Sequence, residues 1–153
     1  MNASSTHRWG VEQITACVLA YGTFVAQGDL DGVADLFVHG AVSGDAHPDP
    51  VFGRDAVREL YRATLANDGT ERRLRVATTD LQITIDEQAG TASCTSTFIV
   101  HAPGAADDDE PLFLGRYADT FALIDGRWEF TRRHVHLDTT NDDAVQRAGV
   151  NLG

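Results

Sequence analysis

The stretch Tyr21-Gly-Thr-Phe-Val-Ala-Gln-Gly28-Asp-Leu-Asp-Gly-Val-Ala-Asp-Leu-Phe37, with Gly53-Arg-Asp-Ala-Val-Arg-Glu-Leu-Tyr61 and the run on to Leu65, decides the fold. Upstream of it Val11, Ile14, Val18, Tyr21 and Val25 recur at steps of three and four, with Cys17, Leu19 and Phe24 beside them. That spacing predicts an amphipathic helix from Trp9 to about Gln27. Gly28 is placed to stop it, and Asp29 to cap a second short helix through Val33, Leu36 and Phe37. Between Gly40 and Gly53 the glycines, prolines and aspartates predict a short strand or bend and then a loop. A third helix begins near Arg54, carries Val57, Leu60, Tyr61 and Leu65 on one face, and is expected to end at Asn67-Asp68-Gly69.

Downstream the period changes from about 3.6 to two. Strands are predicted over about 72–86, 91–102, 112–124 and 127–138. Asp86 to Gly90 and Asp125-Gly126 read as hairpin turns, and the acidic, proline-containing run from Ala102 to Pro111 reads as an exposed loop. Helices first and antiparallel strands after them define an α+β fold, with the helices on one face of a bent sheet. Residues 9–138 form the expected domain, after a flexible N-terminus at 1–8 and before a polar, frayed tail at 139–153.

Composition agrees with a single compact unit. A chain of 153 residues buries about 70% of its unfolded surface in one core. The net charge of −11, from 23 acidic and 12 basic residues, repels phosphate backbones and anionic lipid, so nucleic acid and membrane surfaces are poor partners. No apolar run reaches the ~18 residues of a membrane span, and residues 1–8 lack the form of a secretion signal; the expected location is cytoplasmic. Cys17 and Cys94 fall inside a predicted helix and a predicted strand and are expected to be buried thiols. Arg72, Arg73 and Arg75 are expected on an exposed strand edge, where charge discourages unwanted pairing.

With Gly115-Arg-Tyr-Ala-Asp-Thr-Phe121 leading through Asp125-Gly126-Arg127-Trp128 into the last strand, the chain resembles the nuclear-transport-factor-2-like (NTF2-like) superfamily. Within that superfamily it resembles ketosteroid isomerase and the SnoaL-like polyketide cyclases. The resemblance implies a cone-shaped fold whose curved sheet encloses one pocket, and a homodimer. It also implies a cofactor-independent proton-transfer enzyme acting on a hydrophobic carbonyl compound such as a steroid or polyketide. Tyr21 falls on the family's phenolic donor, Asp45 on its general base and Asp119 on its protonated carboxylic acid. In that family pattern an apolar site keeps one carboxyl neutral, so that it can donate a hydrogen bond. Asp49-Pro50 offers a rival register for the base. The Asp/His dyad of the dehydratase branch is replaced here by Ala26 and Val76.

Alternation along a strand places Phe113, Tyr117, Asp119, Phe121 and Leu123 on one face. Phe24, Tyr61, His101, Tyr117, Phe121 and Arg133 are the candidate substrate contacts. His101 with Asp119 is a second acid/base pair, of the cyclase or dehydratase kind, and a non-catalytic small-molecule-binding or dimerisation module is a third reading. Arg133 and Val135 share one face of the last strand, the expected pocket side, and His134 and His136 the other. Arg133 is placed either to bind an anionic group or to pair with Asp119, which would keep that carboxylate charged. Two histidines two apart suit a metal, but no carboxylate or third histidine is placed beside them by the sequence, and no metal is expected.

Overall fold

The computed structural model describes residues 3–65, 74–102, 104–105 and 109–148. Its elements are α1 (Ala3–Gln27), α2 (Leu30–Asp35), β1 (Ala41–Gly44), β2 (Val51–Phe52), α3 (Arg54–Thr64), β3 (Arg75–Asp86), β4 (Thr91–His101), β5 (Phe113–Ile124), β6 (Arg127–Thr140) and α4 (Asp142–Ala148). The expected end of α3 at Asn67-Asp68-Gly69 lies outside the described residues, as do Arg72, Arg73 and part of the acidic loop.

The strands form one six-stranded sheet in the order β2-β1-β6-β5-β4-β3. All neighbours are antiparallel except β1, which runs parallel to β6 with Ser43 opposite His134 and Gly44 opposite Val135. Register shifts at Thr79/Gln82, Leu114/Gly115 and Thr120/Phe121 interrupt the ladders. Each inserts extra backbone on one strand and increases the local bend, which gives the sheet its curvature. The helices lie on one face, α1 against β3 and β6 and α3 against α2 and β2. No helix among the described residues is long and apolar enough to cross a membrane.

Local chemistry accounts for most element ends. The Asp29 carboxylate accepts from the Gly32 N–H at 2.9 Å, capping α2. Asp125 and Gly126 both have positive φ, 49° and 80°, the combination a tight two-residue hairpin requires. The core joins Ile14, Val18 and Tyr21 of α1, Val33 and Phe37 around α2, Val57 and Tyr61 of α3, and Cys94, Phe98, Phe121, Trp128 and Phe130 of the sheet.

Two expectations are corrected. α1 starts at Ala3, so most of the segment expected to be flexible is helical. The segment expected to fray instead continues β6 to Thr140 and then forms α4, whose Val145 is buried in the core. Val145 and the neighbouring Ala144, set among polar residues, give little pattern, yet both pack against the core and dock the helix. Leu123 is exposed, unlike the buried Tyr117, Asp119 and Phe121, because it stands at the hairpin tip.

Candidate active site

A cavity of ≈ 640 Å³ opens between the helices and the sheet. Tyr21 and Val25 of α1, Leu60, Tyr61 and Thr64 of α3, Phe98 and Val100 of β4, Phe113 and Tyr117 of β5, and Val135 and Leu137 of β6 form its walls. Residues 42–47 run along one side. The lining is mostly apolar with a few polar groups, which is the usual make-up of a small-molecule site.

Those polar groups are three phenols, Tyr21, Tyr61 and Tyr117, together with Ser43, Asp45, His47, Glu59 and Thr64. The hydroxyls of Tyr21 and Tyr61 are hydrogen-bonded to each other. The Tyr117 ring stacks on Phe98 at 4.3 Å and meets Tyr21 edge-on at 5.5 Å, and its hydroxyl has no hydrogen-bond partner among the described residues. Burial pushes all three phenols above their usual range. The Arg133 charge beneath Tyr21 and Tyr117 pulls the other way without overcoming it. They are therefore neutral donors around neutral pH.

Beneath this phenolic floor lies an ion pair. Arg133 donates through Nε and Nη2 to the two carboxylate oxygens of Asp119, each at 2.8 Å, and neither side chain is exposed. Its guanidinium carbon sits 3.7 Å from the Tyr117 ring centroid, 4.2 Å from Tyr21 and 5.0 Å from Phe130. These are cation–π distances in a dry setting. The remaining nitrogen, Nη1, is buried without a hydrogen-bond partner among the described residues.

The expected trio therefore does not converge. Tyr21 lines the cavity. Asp119 lies outside its lining, and both its oxygens are taken by Arg133. A carboxylic acid offering its proton to a ligand needs a free face, and Asp119 has none. Asp45 borders the cavity, but its carboxylate is turned toward His134 and His136, which alternate with the inward Arg133 and Val135. One of its oxygens accepts the Leu137 N–H at 2.9 Å. That bond, with the two histidines, holds the carboxyl below its usual range against a partial desolvation. The rival Asp49 is exposed and outside the cavity lining.

Among the candidate contacts, Tyr61 and Tyr117 line the cavity, and Phe24, His101, Phe121 and Arg133 do not. Phe24 belongs to the α1–α2 hairpin, its ring against Gly32. Phe121 packs on Phe130 at 4.5 Å in the core. His101 lines a shallow groove with Thr23, Ala26 and Ile99. Cys94 is opposite Asp119, and His101 is seven residues further along β4, roughly 23 Å at 3.3 Å per residue and on the other face. His101 and Asp119 thus cannot act as a pair.

Sequence reasoning found no third partner for His134 and His136. The structure supplies it, because the parallel pairing of β1 with β6 carries Asp45 beside them. Asp45 Oδ1 is 3.4 Å from His134 Nε2 and 3.4 Å from His136 Nδ1. His134 Nδ1 is 2.7 Å from the buried Ser43 Oγ.

Residues 8–134 match the family model described as the SnoaL-like domain. No curated protein sequence matches at a significant level. A solved structure of a protein of unknown function from Mycobacterium tuberculosis, Rv3472, is 26% identical with a TM-score of 0.74, covering 94% of this chain and 80% of that one. An NTF2-like protein with a cystatin-like fold from Novosphingobium aromaticivorans is 18% identical with a TM-score of 0.72, covering 94% and 92%. A protein with a cystatin-like fold from Nostoc punctiforme is 19% identical with a TM-score of 0.68, covering 82% and 89%.

Proposed function

We propose, from the premise that this chain belongs to the SnoaL-like domain family, that it binds a hydrophobic small molecule bearing a carbonyl or phenolic oxygen in the cavity above Tyr117. The observation that carries the reading is the paired hydroxyls of Tyr21 and Tyr61 in a mostly apolar lining. One phenol of the pair donates to the other, which leaves one hydrogen free for a ligand oxygen. The unpaired hydroxyl of Tyr117 offers a second. Chained hydrogen bonds polarise one another in a low-dielectric site, so the free donor is a stronger one than an isolated phenol. The ion pair beneath them fixes the rings from below.

The test compares a polycyclic ketone with its deoxygenated hydrocarbon by ligand-observed NMR, on the parent chain and on Tyr61→Phe. The ketone is expected to bind more tightly, and the variant to lose about fivefold for the ketone alone, the worth of one hydrogen bond at about 1 kcal/mol. Equal affinity for both compounds, unchanged in the variant, refutes the reading.

A second reading, a proton-transfer enzyme of the isomerase or dehydratase kind, draws support from Asp45 at the cavity border. In it the phenols stabilise the oxygen of an enolate as charge develops there. Asp45, held ionised, is a weak base and has to turn from the histidines to reach a ligand. Isomerisation of a β,γ-unsaturated ketone, followed by the absorbance of the conjugated product, should then fall about a hundredfold in Asp45→Asn. Turnover that is absent in the parent chain, or equal in the variant, removes this reading.

A further inference from the structure

The three side chains gathered at the end of β1 fit a metal better than they fit one another. Asp45 Oδ1 is 3.4 Å from both His134 Nε2 and His136 Nδ1. That is long for a charge-assisted hydrogen bond, which settles nearer 2.7–2.9 Å. It is the separation expected of ligands around a shared ion, since a tetrahedron with bonds of about 2.0–2.1 Å has edges of about 3.3–3.4 Å. All three ligand atoms lie within 4.8 Å of one another. We propose that Asp45, His134 and His136 form a binding site for a divalent first-row transition ion, with at least one coordination position left open to solvent.

Outer contacts of the right kind are already in place. The Ser43 hydroxyl, from a side chain that is 2% exposed, bonds His134 Nδ1 at 2.7 Å and leaves Nε2 to point at Asp45. The Leu137 N–H holds the second oxygen of Asp45 at 2.9 Å, so Oδ1 is the one free to coordinate. Such second contacts orient metal ligands and fix the tautomer of a ligating histidine. The nearby Arg116 is engaged bidentately by Asp138, so the cluster's own carboxylate is left for the ion.

Donor type selects the ion. Two imidazoles and one carboxylate suit zinc, iron(II), cobalt or nickel, whereas magnesium and calcium prefer all-oxygen sites. His134 and His136 are partly exposed, at 22% and 37% of their side chains. That exposure gives an ion access and leaves room for water in the remaining position. The proposal stands on the face of β6 away from the phenols and does not rest on the cavity reading.

The test is isothermal titration of the full chain, free of any affinity tag and stripped with chelator, with Zn²⁺, and with Mg²⁺ as comparison. Co²⁺ absorption reports the geometry. One Zn²⁺ per chain, visible bands of tetrahedral or five-coordinate Co²⁺, and no Mg²⁺ binding are expected. His136→Ala should weaken Zn²⁺ at least about tenfold, and Ser43→Ala about tenfold to a hundredfold through His134. His39→Ala and Tyr61→Phe should leave it unchanged. Asp45→Asn should also abolish tight binding; if loss of the Leu137 bond unfolds that variant, the histidine substitutions carry the test. No saturable Zn²⁺ binding, or binding that His134→Ala and His136→Ala leave intact, overturns the proposal.

Discussion

Replacing Asp119 by asparagine separates two accounts of the floor beneath the cavity. Asparagine is nearly isosteric with a protonated carboxylic acid, so a neutral Asp119 that merely donated a hydrogen bond would be replaced at a cost below about 1 kcal/mol. The geometry demands more. Both carboxylate oxygens accept from Arg133 at 2.8 Å, neither side chain is exposed, and Arg133 Nη1 is already unpartnered among the described residues. Asp119→Asn removes the counter-charge and leaves a buried guanidinium with one amide oxygen at most and the faces of Tyr21, Tyr117 and Phe130. Breaking a buried pair from one side costs about 3–5 kcal/mol. For a chain of this size that lowers Tm by about 6–20 °C, at 2–4 °C per kcal/mol. Urea denaturation should show a lower midpoint with an unchanged slope. Adding Arg133→Met to Asp119→Asn should recover much of the loss, because the orphaned charge is gone, and the cycle should show strong coupling. A single substitution costing less than about 1 kcal/mol, or a double-mutant cycle that is simply additive, refutes the ion-pair account.

The chain's three tyrosines, Tyr21, Tyr61 and Tyr117, all have raised folded-state values. Stability they confer is present below the unfolded phenol value of about 10 and is lost as pH rises past it. Phenolate absorbance should therefore appear only together with alkaline unfolding, and a component titrating at or below pH 10 in the folded chain would contradict this. Burial, with Asp119 beside it, pushes the Cys94 thiol up to about 11, and Cys17 is raised chiefly by burial too. Neither thiol should react rapidly with a disulfide reagent at pH 8 until denaturant is added; a native burst of one equivalent would count against it. A Cβ on Gly115 would run into the His136 carbonyl oxygen and lie 2.5 Å from Phe98 Cζ, so Gly115→Ala should lower stability by about 1–3 kcal/mol or more. An unchanged melting temperature would show that the strands have slack at this point.

The parts of the fold written in local pattern were legible. Helical spacing located α1, α2 and α3, alternation located the four long strands, and Gly28 and Asp125-Gly126 marked a helix end and a hairpin. The site was legible only by halves. Alternation told Arg133 and Val135 from His134 and His136, because the period of two is a local property. Which residue each of them meets is a matter of non-local register. β1 and β6 lie roughly ninety positions apart in the chain, and nothing in the bend from Gly40 to Gly53 announces that it runs parallel to β6. Resemblance aligned Asp45 with a base position, while the pairing it enters turns its carboxylate toward two histidines.

The register also explains why Asp119 and Arg133 meet. The β5–β6 hairpin pairs Ile124 with Arg127 and Leu123 with Trp128. Continued without interruption, that count sets Asp119 opposite Arg132. The shift between Thr120 and Phe121 leaves Thr131 without an opposite residue, and Asp119 falls opposite Arg133. A one-residue change in register exchanges the faces of everything beyond it. Arg133 and Val135 are thereby turned to the core and cavity, whereas His134 and His136 face the side where the parallel strand delivers Ser43 and Asp45. The uninterrupted count would instead bring Arg132, His134 and His136 to the inner face and carry the carboxylate of Asp119 to a different arginine. The phenolic floor with its buried ion pair and the histidine–aspartate cluster are thus two consequences of the same inserted residue.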